Sequence, residues 1–246
     1  MHSKILLCLF SGFLCISGAW ADAKPGADEA TVKTAIEKKF PDIKIDSLKK
    51  IQYGELYEAV MDGNQVFYTD KSASYILIGN LIDPKSQRNV TQERIQDLMR
   101  VKFDTLPLEL ALKQVKGNGK RKMAVFSDPD CPYCRKLEAE LAQVTDVTIY
   151  TFLYPIASLH PDAGEKAKAV WCSPDRNKAW EDLIQNGTVP KASGKCDNPV
   201  AKLNELGRKL KVNGTPTIIF ADGMRAPGMV PAADLEKMLN GERRQR

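Results

Sequence analysis

The chain has 246 residues, 43% hydrophobic and 27% charged, with 16 Gly and 14 Pro, a globular composition that excludes a collagen-like or largely disordered protein. Lys and Arg number 36 against 31 Asp and Glu, and the resulting +5 is too mild and dispersed to point to nucleic acid. Only His2 and His160 are present, which excludes a histidine-rich metal site and leaves six cysteines as the unusual feature.

The amino terminus reads as an export signal: Lys4 supplies positive charge, Ile5 to Ile16 is mostly apolar, and Ala19-Trp20-Ala21 fits a small-x-small cleavage site. The apolar run is shorter than the roughly 18 residues a spanning helix needs. A lipoprotein anchor on Cys15 is the rival reading, with bulky Leu14 against it. Removing residues 1–21 as a signal peptide discards Cys8 and Cys15 and leaves Cys131, Cys134, Cys172 and Cys196. An even number of cysteines in an exported chain points to disulfide chemistry in an oxidising compartment.

Residues 22–82 read as a small α+β unit. Val32, Ala35, Ile36 and Phe40 follow helical spacing up to Pro41. Leu56 to Met61 and Gln65 to Thr69 are β-prone runs around an Asp62-Gly63-Asn64 hairpin turn, and Tyr75 to Leu81 predicts another strand. So small a unit buries only about 60% of its unfolded surface, so it is expected to seek a partner through its strand edges as a dimerisation or docking module. Residues 83–103 read as a linker with a short helix, capped by Asn89 with Gln92 three positions on.

The second domain, 104–246, is predicted to open on a strand, because Leu106, Leu108, Leu110 and Leu112 alternate at period two. Gly117-Asn118-Gly119 then turns the chain, Met123 to Phe126 is a buried strand, and Arg135 to Val144 is helical. A strand over Val147 to Leu153 follows, then helices over Asp162 to Trp171, Arg176 to Gln185 and Pro199 to Lys211. Thr217 to Phe220 is a strand, Asp222-Gly223 a hairpin turn, and Pro231 to Leu239 a closing helix.

Between that buried strand and its helix lies Cys131-Pro132-Tyr133-Cys134. Two thiols separated by two residues can close a short disulfide, and the first faces the free N–H groups and positive end of the helix. Those stabilise a thiolate and bring its pKa from ~8.5 into the range of ~3.5–7.5, so Cys131 is the expected nucleophile and Cys134 the resolving thiol. Pro132 suits the first helical position. Half a zinc site or an inert crosslink are the bland alternatives. A zinc ribbon needs a second close pair, whereas Cys172 and Cys196 are 24 positions apart. Neither a metal nor a bound cofactor is expected. Cys172 and Cys196 read as a structural disulfide worth about 3 kcal/mol, with an auxiliary redox pair as the alternative. In Gly214-Thr215-Pro216-Thr217 the proline reads from sequence alone as a strand-start residue; were its bond cis, the exposed Thr215 backbone would hold an extended substrate beside Cys131. Tyr133 either contacts substrate or shields the disulfide. His160 reads as a loop or capping residue, Trp171 and Trp180 as core, and the Glu242 to Arg246 tail as a solvated end.

Phe126 to Cys134, Trp171-Cys172, Cys196 and Gly214-Thr215-Pro216 together resemble the DsbC/DsbG family of periplasmic thiol:disulfide interchange proteins, over nearly the whole mature chain. The resemblance implies a thioredoxin-like catalytic domain with a helical insertion at about 155–210 and a V-shaped homodimer formed by the N-terminal domains. It further implies an apolar cleft that gives chaperone activity, and a cis Pro216 preceded by Thr215. Misfolded or mis-oxidised exported proteins would be the substrates and a DsbD-type membrane reductase the electron donor. Pro132-Tyr133 is closer to DsbG, where a reductase protecting single oxidised cysteines is implied; the second cysteine pair favours a DsbC-type isomerase. Arg135 occupies an often basic position and would add to thiolate stabilisation. A non-catalytic holdase and a DsbA-type oxidase are the rival classes, the oxidase weakened by the extra N-terminal unit.

Overall fold

The computed structural model describes residues 26–242 and divides into two compact units, 26–62 with 67–78, and 63–66 with 79–242. The export signal and residues 243–246 of the tail lie outside the described residues. Among the described residues no helix is long and apolar enough to cross a membrane.

The first unit begins with α1 (Ala27–Lys39), whose start is fixed by the Glu29 carboxylate accepting from the Gly26 N–H at 3.0 Å. Val32 and Ile36, one turn apart on one face, are fully buried against Ile45, Tyr57, Ala59, Phe67 and Ala73. Strands β1 (Ser47–Lys50), β2 (Tyr57–Met61) and β3 (Gln65–Thr69) form a sheet in that order, with Leu48 opposite Ala59 across the antiparallel β1–β2 pair. Asp62 and Gly63 both take positive φ, which suits a tight turn between β2 and β3. The strand predicted over Tyr75 to Leu81 does not form: a single antiparallel bridge joins Leu77 to Tyr68, while Ile78 stands 83% exposed. Among the described residues its apolar run meets no continuous ladder.

The second unit starts with α2 (Val90–Leu98), where the Asn89 side chain accepts from the Gln92 N–H at 2.9 Å. The strand expected from the leucine alternation is corrected to two 3₁₀ turns, Phe103–Thr105 and Leu108–Leu110. Pro107, which has no N–H to give a ladder, sits between them. Strand β4 (Leu112–Lys116) begins only at the last leucine. Then come β5 (Arg121–Ser127), α3 (Pro132–Ala142) and β6 (Val147–Leu153). The insertion supplies α4 (Ala163–Trp171), α5 (Arg176–Asn186) and α6 (Val200–Lys209), before β7 (Thr217–Phe220), β8 (Arg225–Pro227) and α7 (Ala232–Leu239).

The five strands lie in the order β4-β6-β5-β7-β8, with β5 and β6 parallel and the other pairs antiparallel. The turn over Gly117 to Gly119 therefore joins strands that are not neighbours, since β6 lies between them. Central β5 is buried on both faces. Met123 and Val125 pack with Leu137 and Leu141 of α3 and with Leu235 and Met238 of α7. Ala124 and Phe126 pack on the opposite side with residues of α4, α5 and α6. Phe126 meets the Phe152 ring at 5.0 Å and the Tyr154 ring edge-on at 5.6 Å. On the insertion side α6 lies so close that a Cβ on Gly207 would overlap the Tyr154 ring, whose hydroxyl donates to the Val212 carbonyl at 3.1 Å.

Candidate functional site

Strand β5 delivers the chain into the interior, and four residues separate its end from the start of α3. Cys131 is the N-cap of α3, with φ −75° and ψ 120°, and Pro132 is its first residue. The Cys131 carbonyl accepts from the N–H groups of Cys134 and Arg135 at 3.1 and 3.2 Å, starting the helix. Cys134 thus lies in the first turn, facing inward. The two sulfurs are not equivalent: Cys131 keeps 6% exposure and Cys134 none. Neither is bridged.

Two segments distant in sequence complete the site. Before β7 the Thr215–Pro216 bond is cis, and the Cys131 Sγ lies 3.3 Å from the Thr215 carbonyl oxygen. From the other side the Asp128 N–H donates to the Cys134 Sγ at 3.4 Å. Burial pushes the Cys134 thiol up to about 12; the Ser127 hydroxyl, the Asp128 N–H and the Thr215 hydroxyl work against that rise, while Cys131 adds to it. A buried thiol of this kind stays protonated at neutral pH, whereas the first sulfur occupies the positive end of a helix.

Of the residues singled out in the sequence, Cys131, Cys134, Thr215 and Pro216 come together. Tyr133 is 57% exposed on the first turn of α3, with the Lys136 Nζ 5.3 Å from its ring centre. The Arg135 Nε donates to the Ile184 carbonyl of α5 at 2.9 Å. Cys172 and Cys196 are joined by a disulfide at the end of α4. Trp171 and Trp180 are buried, one carrying Arg176 over its ring and the other donating to Glu138 at 2.9 Å. Sequence reasoning missed Asp128. Its signal was a carboxylate directly after a run of buried strand residues, a position that demands partners.

The comparisons with known proteins agree with this geometry. A thioredoxin-like domain model matches residues 108–241, and the model of the disulfide bond isomerase protein N-terminal domain matches residues 23–92. A probable thiol:disulfide interchange protein DsbC of Bordetella avium is 44% identical over 208 residues, covering 85% of this chain and 73% of that protein. The chain belongs to the DsbC family. The thiol:disulfide interchange protein DsbC of Escherichia coli K12 is 27% identical over 239 residues, 96% of this chain and 92% of its own. A crystal structure of a disulfide interchange protein from Neisseria gonorrhoeae covers 57% of this chain and all of its own, with 48% identity and a TM-score of 0.53. Membership of the DsbC family makes the chain a thiol-disulfide oxidoreductase of the disulfide isomerase type, with an α+β fold in which a DsbC N-terminal domain precedes a thioredoxin-like one.

Proposed function

We propose that this protein rearranges or reduces incorrect disulfides in exported proteins, working in the periplasm through a mixed disulfide on Cys131. The carrying observation is the unequal access of the two sulfurs beside the Thr215 carbonyl. The thiolate of Cys131 attacks one sulfur of a substrate disulfide; a Cys131–substrate bond forms, the old bond breaks, and the second substrate sulfur leaves with the electron pair. That sulfur can attack elsewhere in the substrate and the chain finally displaces Cys131, with no net redox change. Otherwise Cys134 attacks Cys131 and releases the substrate reduced. Regeneration of the dithiol then needs an electron donor, a role for a DsbD-type membrane reductase. Thr215, Pro216 and Tyr133 are assigned to substrate binding, Cys172–Cys196 to structure.

Residues 22–82 are assigned to pairing two copies as a homodimer, 83–103 to the linker and 104–246 to chemistry. Support for pairing comes from the outer edge of the first sheet, where Tyr75, Leu77 and Ile78 are 46%, 46% and 83% exposed. Chaperone activity follows if paired copies offer apolar surface to unfolded chains. The test is reactivation of a scrambled multi-disulfide substrate in a glutathione buffer, with gel filtration alongside. Wild type should reactivate it as a dimer, and Cys131→Ala should not. A wild type that only suppresses aggregation, equally well without either cysteine, overturns the reading in favour of a holdase.

A further inference from the structure

Asp128 follows the last residue of β5 and precedes Cys131 by three positions. Its side chain is wholly buried, where a carboxylate is costly unless partners compensate it. Oδ1 accepts from the Asp130 N–H at 2.8 Å, Oδ2 accepts from the Ile156 N–H at 2.7 Å, and the His160 Nδ1 lies 3.1 Å from Oδ2. Ile156 and His160 belong to the segment between β6 and α4. Two further contacts flank the loop: the Tyr154 N–H donates to the Ser127 carbonyl at the end of β5 at 2.8 Å, and Lys166 of α4 pairs with Asp130 at 2.7 Å. The loop carries the N–H that meets the Cys134 sulfur at 3.4 Å.

We propose that Asp128 is a positioning residue for the resolving step: its carboxylate, held by the Asp130 and Ile156 N–H groups with the His160 ring beside it, keeps its own N–H on the sulfur of Cys134. In that step the Cys134 sulfur attacks the Cys131 sulfur, and the proton it gives up is the one that the departing substrate sulfur takes. The Cys131–Cys134 bond forms, the Cys131–substrate bond breaks, and the substrate sulfur departs with the electron pair and takes up a proton. The Cys134 sulfur must pass through an ionised state that burial opposes, and an N–H aimed at it offsets part of that opposition. The inference rests on the roles assigned above to Cys131 and Cys134.

The full chain and oxidised glutathione test it. In Cys134→Ser a glutathione adduct should accumulate on Cys131, read by peptide mass; its absence brings down the role assignment and this inference together. With Cys134 present, rapid acid quenching measures the adduct lifetime. Asp128→Asn cannot accept from every donor around it, because one end of its amide is itself a donor, and it should lengthen the lifetime about tenfold. His160→Ala loosens the same carboxylate from outside and should lengthen it about threefold. Adduct formation, measured with each substitution in the Cys134→Ser background, should stay within about twofold of the parent, a split that a general structural defect does not produce. Lifetimes within about twofold of wild type in both variants, or equal slowing of formation and resolution, overturn the inference. Should Asp128→Asn fail to fold, His160→Ala decides alone, and an unchanged lifetime there overturns it.

Discussion

The Cys131 sulfur meets the Thr215 carbonyl oxygen at 3.3 Å although 84 positions separate the two residues. Cys131 keeps a little exposure and Cys134 has none. Reagents should respect that order. In the reduced native protein at pH 8, iodoacetamide should label Cys131 at least about a hundredfold faster than Cys134, since the second thiol is both hidden and protonated. Mass spectrometry of the labelled peptide reads the ratio, and comparable rates at the two sulfurs would contradict the arrangement.

Cys134 also makes stability depend on alkaline pH. The folded protein keeps this proton to about pH 12, whereas an unfolded cysteine releases it near ~8.5. Between those values the folded state binds more protons than the unfolded one. The contribution is therefore intact below ~8.5 and is lost as pH rises towards 12. Denaturant melts of the reduced protein should lose roughly 2–3 kcal/mol more between pH 8 and 10.5 than those of Cys134→Ala. Parallel curves for the two proteins would refute the assignment.

The Cys172–Cys196 bridge spans 24 positions and ties the end of α4 to the loop before α6. Replacing both cysteines by serine should cost about 3 kcal/mol by releasing the unfolded chain. For a domain of this size that lowers Tm by about 6–12 °C under non-reducing conditions. An unchanged Tm would mean the bridge constrains nothing that the helices do not already hold.

Gly207 lets α6 approach the Tyr154 ring without a side chain between them. Gly207→Ala should destabilise by about 1–3 kcal/mol despite alanine's better helix propensity. In a double-mutant cycle with Tyr154→Ala that penalty should largely vanish, because the overlapping ring is gone. A penalty that persists in the double mutant would place the strain elsewhere.

Much of this architecture could be read before any coordinates. Strands β3, β6 and β7 and the three insertion helices carry periodicities that local packing respects, and their bounds agree with the expected ones to within about two residues. The leucine alternation misled, because spacing alone does not register that Pro107 interrupts a ladder. Tyr75 to Leu81 misled for the opposite reason: the propensity is present, but a strand needs a continuous neighbour, and the run meets one only at isolated points, Leu77 beside Tyr68 and the Leu81 carbonyl accepting from the Val90 N–H. The cysteines were legible because their spacing is chemical. Asp128 and the orientation of Arg135 were not, since both depend on which backbone groups the insertion brings near them, and those lie 28 and 49 positions away.

The placement of β6 between β4 and β5, with Thr215 arriving on the segment before β7, bears on how the enzyme is made. A ribosome releases Cys131 and Cys134 well before the backbone oxygen that flanks them. Until that segment is present the pair lacks one wall of its site, and it gains its specialised surroundings only once Thr215 and Pro216 can fold against it.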